Sequence, residues 1–483
     1  MLFNSFQFLL FLPTVVVLYW LLPSRWRLPM LLVASYGFYM SWMPVFILLI
    51  VPMTLFNWLW GKLLSHSAKK AKLVLGIGIA ANLLTLGIFK YADFAVRTVD
   101  SLIFQTTRHN PDWAVRIILP LGISFFTFEF IHYLFEIYRG KKPIDSFVLF
   151  ALFAAFFPTQ IAGPVKRYPD FAAQMSEEKK LQLSYFDEGL PLIVIGLAKK
   201  LLLADNLAVL VQMGLKQSSA FGAPETWLIA YAFSFQIYFD FSGYTDIARG
   251  SALLFGYHIP INFNTPYLAE NIADFWKRWH VSLSSWLRDY LFIPLGGSRG
   301  GRWMTNRNLL ITMALGGLWH GAAWNFVLWG VYHGVWLVIH REFVEWRQSI
   351  TALKAVCASK VYNIVSIIVT FNIVTIGLVI FRNQDLGVSA TMIKRMLVLS
   401  PIFTHVENHS FLLFKPFMPV IVPVSMTMVA LLLLTNFPIS IANRNGFFKR
   451  LPAPLKASFC AVLVFAMITF LPDDSRPFIY FQF

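Results

Sequence analysis

The chain has 483 residues, 57% of them hydrophobic and 13% charged, with a mean hydropathy of +0.62, whereas an average soluble domain has roughly a quarter of its residues charged. That composition excludes a water-solvated globule and points to a membrane protein. The net charge of +16 could suit nucleic acid, but basic residues collect in the cytoplasmic loops of membrane proteins, so no nucleic-acid partner is needed.

In chain order, apolar runs fall at 6–22, 44–61, 73–91, 115–135, 323–339, 362–381 and 411–435, with shorter or broken ones at 28–40, 146–158, 189–204, 226–241 and 456–471. Runs of ~20 residues cross ~30 Å of hydrocarbon as helices, which gives about eleven spans, give or take two. Lipid leaves every backbone polar group to be satisfied internally, so segments this long predict an all-α polytopic bundle and not a β-barrel. The first run lacks a basic n-region and a small-residue cleavage site, and reads as a retained helix. Cys357 and Cys460 are the only cysteines and lie in apolar sequence. That predicts inert core positions and neither a disulfide framework nor a Cys-based metal site.

Loop charge sets an orientation. Arg25 and Arg27, then Lys62, Lys69, Lys70 and Lys72, then Arg139, Lys141 and Lys142 occupy alternate loops. The turn at 41–44 is uncharged, and the loop from Asp93 to Arg116 balances three arginines with three aspartates. One topology, with the N-terminus outside, satisfies the rule at all five loops. Without repeats or a long linker the chain reads as one membrane domain, with N-terminal helices at 1–145, a centre at 146–340 and C-terminal helices at 341–483. Between about 156 and 330, Pro, Gly and charge interrupt the apolar segments. Such backbone survives at membrane depth only inside protein or along a wet cavity, so chemistry is sought there.

Residues 271–292, NIADFWKRWHVSLSSWLRDYLF, are too polar for a simple span. Asp274, Lys277, Val281, Ser284 and Arg288 share one stripe at helical spacing, which predicts an amphipathic, interfacial helix. His280 lies at the stripe's margin, where a packed, hydrogen-bonded histidine is a sufficient account. LGGSRGGRWMTNRN follows, with Arg299, Arg302 and Arg307 close together and no acid before Glu342. It has neither the GK[ST] ending nor the GxGxxG spacing, so as a phosphate cradle it is weak, and an ordinary basic cytoplasmic loop explains it. With Lys277 and Arg278 the cluster also suits the phosphates of a donor or an acidic carrier.

The next stretch, LLITMALGGLWHGAAWNFVLWGVYHG, reads as helical and apolar except for His320, Asn325 and His333. An ionisable residue in such a span is a functional hypothesis by default. Gly316, Gly317 and Gly321 permit close approach beside His320, and Trp319 and Trp324 wall it in. His333 and His340 share a face that His320 does not, and no carboxylate lies near, so a metal site is not expected. A lone imidazole suits a general base that takes a proton from a hydroxyl attacking a thioester. Serine hydrolase chemistry is unsupported, since no GxSxG elbow is present.

The block QIYFDFSGYTDIARGSALLFGYHIPINFNTPYLAENIADFWKRWHVSLSSWLRDYLFIPLGG, followed by GGLWHGAAWNFVLWGVYHG, resembles the membrane-bound O-acyltransferase family and is most similar to its bacterial, alginate-type branch. PLGISFFTFEFIHYLFEIYRG, FFPTQIAGPVKRY and the terminal RPFIYFQF extend the resemblance through nearly the whole chain. The resemblance implies a helical ring around a tunnel, with re-entrant or interfacial helices. His320, in WHG, matches the family's catalytic histidine, and His280, in RWHVSL, its second polar position. It further implies a thioester donor from the cytoplasm, acetyl-CoA or an acyl carrier protein, and no permanently bound cofactor. The acetyl group would pass to a periplasmic SGNH-type acetyltransferase or esterase-like partner and then to a polysaccharide. The donor-side expectation falls on Lys277, Arg278, Arg299 and Arg302. The reading is thus an inner-membrane O-acetyltransferase. Its rivals are a transporter or flippase, which would reveal paired broken helices in related halves, and a non-catalytic scaffold of a polysaccharide synthase.

Overall fold

A computed structural model describes residues 1–107, 117–216, 222–350, 356–357, 359–398, 450–470 and 476–479, the side chains of 104–107 excepted. The expected span at 411–435 and part of the charged loop ending at Arg116 lie outside the described residues. Among the described residues the regular structure is helical, with one isolated bridge between Phe263 and Trp279. The chain forms two compact units, Met1–Ile193 with Ile247–Pro260, and Val194–Asp246 with Ile261–Phe483.

The first unit opens with α1 (Phe6–Leu21), whose N-cap Ser5 accepts from the Phe8 amide, and α2 (Ser24–Met40). Next come α3 (Ile47–His66) and α4 (Ala71–Leu86), the latter running through a π-turn at Gly87–Tyr91 into α5 (Ala92–Thr107). Buried Asn57 and Asn82 exchange amide hydrogen bonds of 3.0 and 2.8 Å between α3 and α4, the kind of polar tie that holds helices together in lipid. Gly122, at φ +75°, starts α6 (Ile123–Tyr138).

After α7 (Phe147–Ala155) the chain stays buried but irregular to residue 167, as the Pro and Gly content predicts. Several polar groups in and beside it find protein partners, although both side-chain amide atoms of buried Gln160 have none among the described residues. Phe157 N donates to Ser35 Oγ (3.1 Å), Tyr168 N to His132 Nε2 (3.0 Å), and Lys166 Nζ to Glu129 Oε1 (2.7 Å) and Thr159 Oγ1 (2.6 Å). Then follow α8 (Tyr168–Ser176) and α9 (Leu183–Ala198).

In the second unit a π-turn at Lys199–Ala204 leads into α10 (Asp205–Lys216), then α11 (Ala223–Leu253), whose residues from Ile247 on belong to the first unit. The expected single amphipathic helix over 271–292 is broken. It forms α12 (Ile272–Arg278) and α13 (Val281–Leu287), followed by a π-turn at Arg288–Phe292. The cause is non-local: Trp279 is extended and bridges Phe263, and His280 takes φ +45°. The five-residue stripe therefore does not persist as one face.

The stretch around His320 is also two helices, α14 (Gly301–His320) and α15 (Trp324–Gln348), with the chain turning at 321–323. They pack antiparallel: a Cβ at Gly317 would collide with the Phe326 carbonyl, and one at Gly330 with that of Met313. At the far end Arg341 Nη1 donates to Asn306 Oδ1 (2.8 Å). Last come α16 (Lys360–Arg382), α17 (Leu386–Leu397) and α18 (Ala453–Thr469).

Three stretches among the described residues are long and apolar enough to cross a membrane: Pro44–His66, Ala68–Ile103 and Lys360–Arg382. Phe6–Leu21 and Ala453–Thr469 are shorter apolar helices. Leu9, Leu10 and Val17 on α1, and Val361, Ile364 and Ile368 on α16, face outward, an apolar surface suited to lipid. Cys357 and Cys460 are free and half-buried, not in the core.

Candidate active site

His320 ends α14 and is 9% exposed, and His280, between α12 and α13, is fully buried. Forty residues apart in sequence, their rings lie with centroids 6.4 Å apart. A general base needs its nitrogen within about 3 Å of the atom that loses the proton, and this spacing lets one oxygen lie within reach of both rings.

The turn that presents His280 is held from outside its own helices. The Val281 amide donates to the Asn262 carbonyl (3.0 Å), and Asn262 Oδ1 accepts from the Ser282 amide (3.3 Å) and hydroxyl (2.6 Å). Asn262 is buried, so these bonds are shielded from water. The left-handed backbone at His280 is uncommon for a residue with a side chain and persists where its surroundings over-determine it. Phe241 of α11 packs edge-on against the His280 ring at 4.7 Å.

Around His320 stand Trp319 (5.0 Å), Trp329 (5.1 Å) and Phe381 (5.4 Å). Trp324, expected as a wall, is 52% exposed; Trp329 and Phe381, which the sequence did not single out, line the site instead. The adjoining glycines serve helix packing, for Gly321 receives the Phe326 ring as Gly317 receives its carbonyl. His333 is buried one ring further on, against Trp329 (4.9 Å) and Trp276 (5.2 Å). The hairpin thus returns it to the same aromatic cluster, whereas a single continuous helix would place it on another face. Among the described residues no group of three His, Cys, Asp or Glu side chains could hold a metal.

The expected donor-side cations divide into two pairs. Arg278 is bound to Asp274 (2.9 Å) and Arg302 to Glu342 of the antiparallel helix, whereas Lys277 and Arg299 are exposed and make no ion pair among the described residues. Sequence reasoning missed a second charged group in this unit, where Lys200 Nζ bridges Asp240 (2.7 Å) and Asp205 (2.8 Å). Its signal was present in the apolar context of Lys199, Lys200 and Asp240, since charges in such sequence need partners.

Residues 123–380, which contain both histidines, match the model of the family MBOAT, membrane-bound O-acyltransferase. The chain belongs to the membrane-bound O-acyltransferase family. It is 42% identical over 404 residues to the probable alginate O-acetylase AlgI of Pseudomonas aeruginosa, covering 82% of this chain and 75% of that protein. Identity to the peptidoglycan O-acetyltransferase of Helicobacter pylori is 34%, covering 83% and 80%. To the teichoic acid D-alanyltransferase of Bacillus subtilis it is 31%, covering 57% and 71%. With its apolar helices, this O-acyltransferase is a multi-pass membrane enzyme.

Proposed function

We propose that this O-acyltransferase transfers an acetyl group from a cytoplasmic thioester for O-acetylation of an alginate-like exopolysaccharide or a cell-wall glycan, with His320 as the general base. The observation that carries the reading is the buried pairing of His320 and His280 inside the matched family region. The relatives named for alginate and peptidoglycan acetylation support the acyl group and the acceptor class. An imidazole at His320 removes the proton of the attacking hydroxyl, and His280, anchored by Asn262, orients the reacting group.

The donor, acetyl-CoA or an acyl carrier protein, meets Lys277 and Arg299, whose free charges suit phosphate oxygens. Arg278 and Arg302 brace the same surface through their acidic partners. The enzyme resides in the bacterial inner membrane with its N-terminus in the periplasm, and a periplasmic SGNH-type, esterase-like protein works with it. The test is label transfer from acetyl-CoA by purified protein in vesicles without an ion gradient, alone and with the periplasmic partner added. Acetylation of an added glycan acceptor supports the reading, and translocation of an intact acyl or sugar species without transfer supports the transporter reading.

A further inference from the structure

Within the second unit, Lys200, Asp205, Gln236, Asp240, Arg382 and Arg476 are among the residues lining a crevice of about 20 Å³, room for one water-sized group. Much of this polar lining is already engaged. Lys200 binds both aspartates, and Asp240 Oδ2 accepts from the Ile479 amide (2.7 Å). Three atoms on three helices are not. Asp205 Oδ2 on α10, Gln236 Oε1 on α11 and Arg382 Nε on α16 are buried without a hydrogen-bond partner among the described residues, and Asp205 as a whole is 2% exposed. Buried polar groups ordinarily have partners, so two acceptors and one donor on residues that line one crevice constrain what should fill it.

A cation there would meet Lys200 and two guanidinium groups. An anion would meet two carboxylates. A neutral hydroxyl both donates and accepts, and one hydroxyl oxygen fits the volume.

The crevice also adjoins the histidine pair along two elements. Asp240 precedes Phe241, whose ring packs on His280, and Arg382 follows Phe381, whose ring packs on His320. Asn325 Nδ2 donates to the Phe381 carbonyl (3.0 Å), which fixes the end of α16 beside the turn after His320. The basic segment lies at the opposite end of α14.

We propose that this crevice is an acceptor subsite that takes a neutral hydroxyl of a sugar, through Asp205, Gln236 and Arg382. The proposal rests on the glycan-acetylation reading and places the glycan on the membrane enzyme itself. The experiment measures binding of an alginate oligosaccharide to the purified, detergent-solubilised protein by calorimetry, alongside KM for donor and acceptor. Asp205→Asn exchanges an acceptor for a donor, and Gln236→Leu removes the amide without touching the Lys200 ion pairs. Each should weaken oligosaccharide binding and raise acceptor KM tenfold or more, with donor KM unchanged. Gln236→Leu carries the test if Asp205→Asn does not fold. Unchanged oligosaccharide binding in the folded variants overturns the proposal and leaves a water site, as does acetyl delivery to a partner protein's hydroxyl with no sugar bound. Binding weakened by both variants, with no acetyl transfer to sugar by any form, upholds the subsite and refutes the glycan-acetylation reading.

Discussion

Asn262→Ala should disable the site without touching either histidine. The wild-type amide oxygen accepts from both the Ser282 amide and its hydroxyl, and the substitution strips both buried donors of their partner. Each buried group left unsatisfied costs about 1–3 kcal/mol. A residue held in a sparsely populated backbone region stores about 1–3 kcal/mol, which His280, at φ +45°, releases if the turn relaxes. The variant should regain part of the first cost by letting Ser282 rotate away, which would move His280 off Phe241. If about 3 kcal/mol of positioning is lost from the transition state, at 1.36 kcal/mol per tenfold the rate falls about 10². Asn262→Asp retains an acceptor oxygen and should recover part of the rate, while Ser282→Ala, which removes only the hydroxyl, should lose less. The assay is label transfer from acetyl-CoA at matched membrane protein levels. A rate for Asn262→Ala within about twofold of wild type, in protein that inserts normally, would refute the idea that this clamp positions His280.

Other outcomes follow from the same geometry. Lys277→Glu and Arg299→Glu should raise donor KM about tenfold, the scale of one lost charge-assisted contact, with acceptor KM unchanged. Steady-state kinetics at varied donor reads this, and an unchanged donor KM would make the cluster a topological signal alone. Glu129→Ala leaves the buried Lys166 charge uncompensated and should destabilise the first unit by about 3–5 kcal/mol, while Glu129→Leu with Lys166→Met should be near neutral. Thermal unfolding in detergent separates the two. In a Cys357→Ser, Cys460→Ser background, cysteine at Ser41 should react with an impermeant thiol reagent in whole cells and cysteine at Ala68 should not; the reverse pattern overturns the orientation.

Much of the helical order was legible because apolar runs report lipid contact directly, and the irregular segment after residue 155 followed from its Pro and Gly content. The break at Trp279 and His280 was not legible. Periodicity runs through it, and its cause, the backbone and amide of Asn262, lies far enough upstream that no local pattern includes it. His320 stood out as an ionisable group in apolar sequence, yet its walls did not. Trp329 and Phe381 reach it only because the chain reverses at 321–323 and because α16 packs on that hairpin. The pairing of Lys200 with Asp240 was hidden for the same reason, since Asp240 lies on α11, whereas Asp205 is only five residues on, across the π-turn. Recognition of the family supplied the second histidine, which residue chemistry alone left as a packed side chain.

Whether His320 takes the proton from the attacking hydroxyl is tested most directly by label transfer from acetyl-CoA by His320→Ala and His320→Gln at matched protein levels. A general base contributes at least ~10² in rate, so both variants should lose that much or more, glutamine included because it keeps hydrogen bonding but cannot accept the proton. Normal transfer by both variants would contradict the mechanism, and normal transfer by glutamine alone would reduce His320 to a positioning residue.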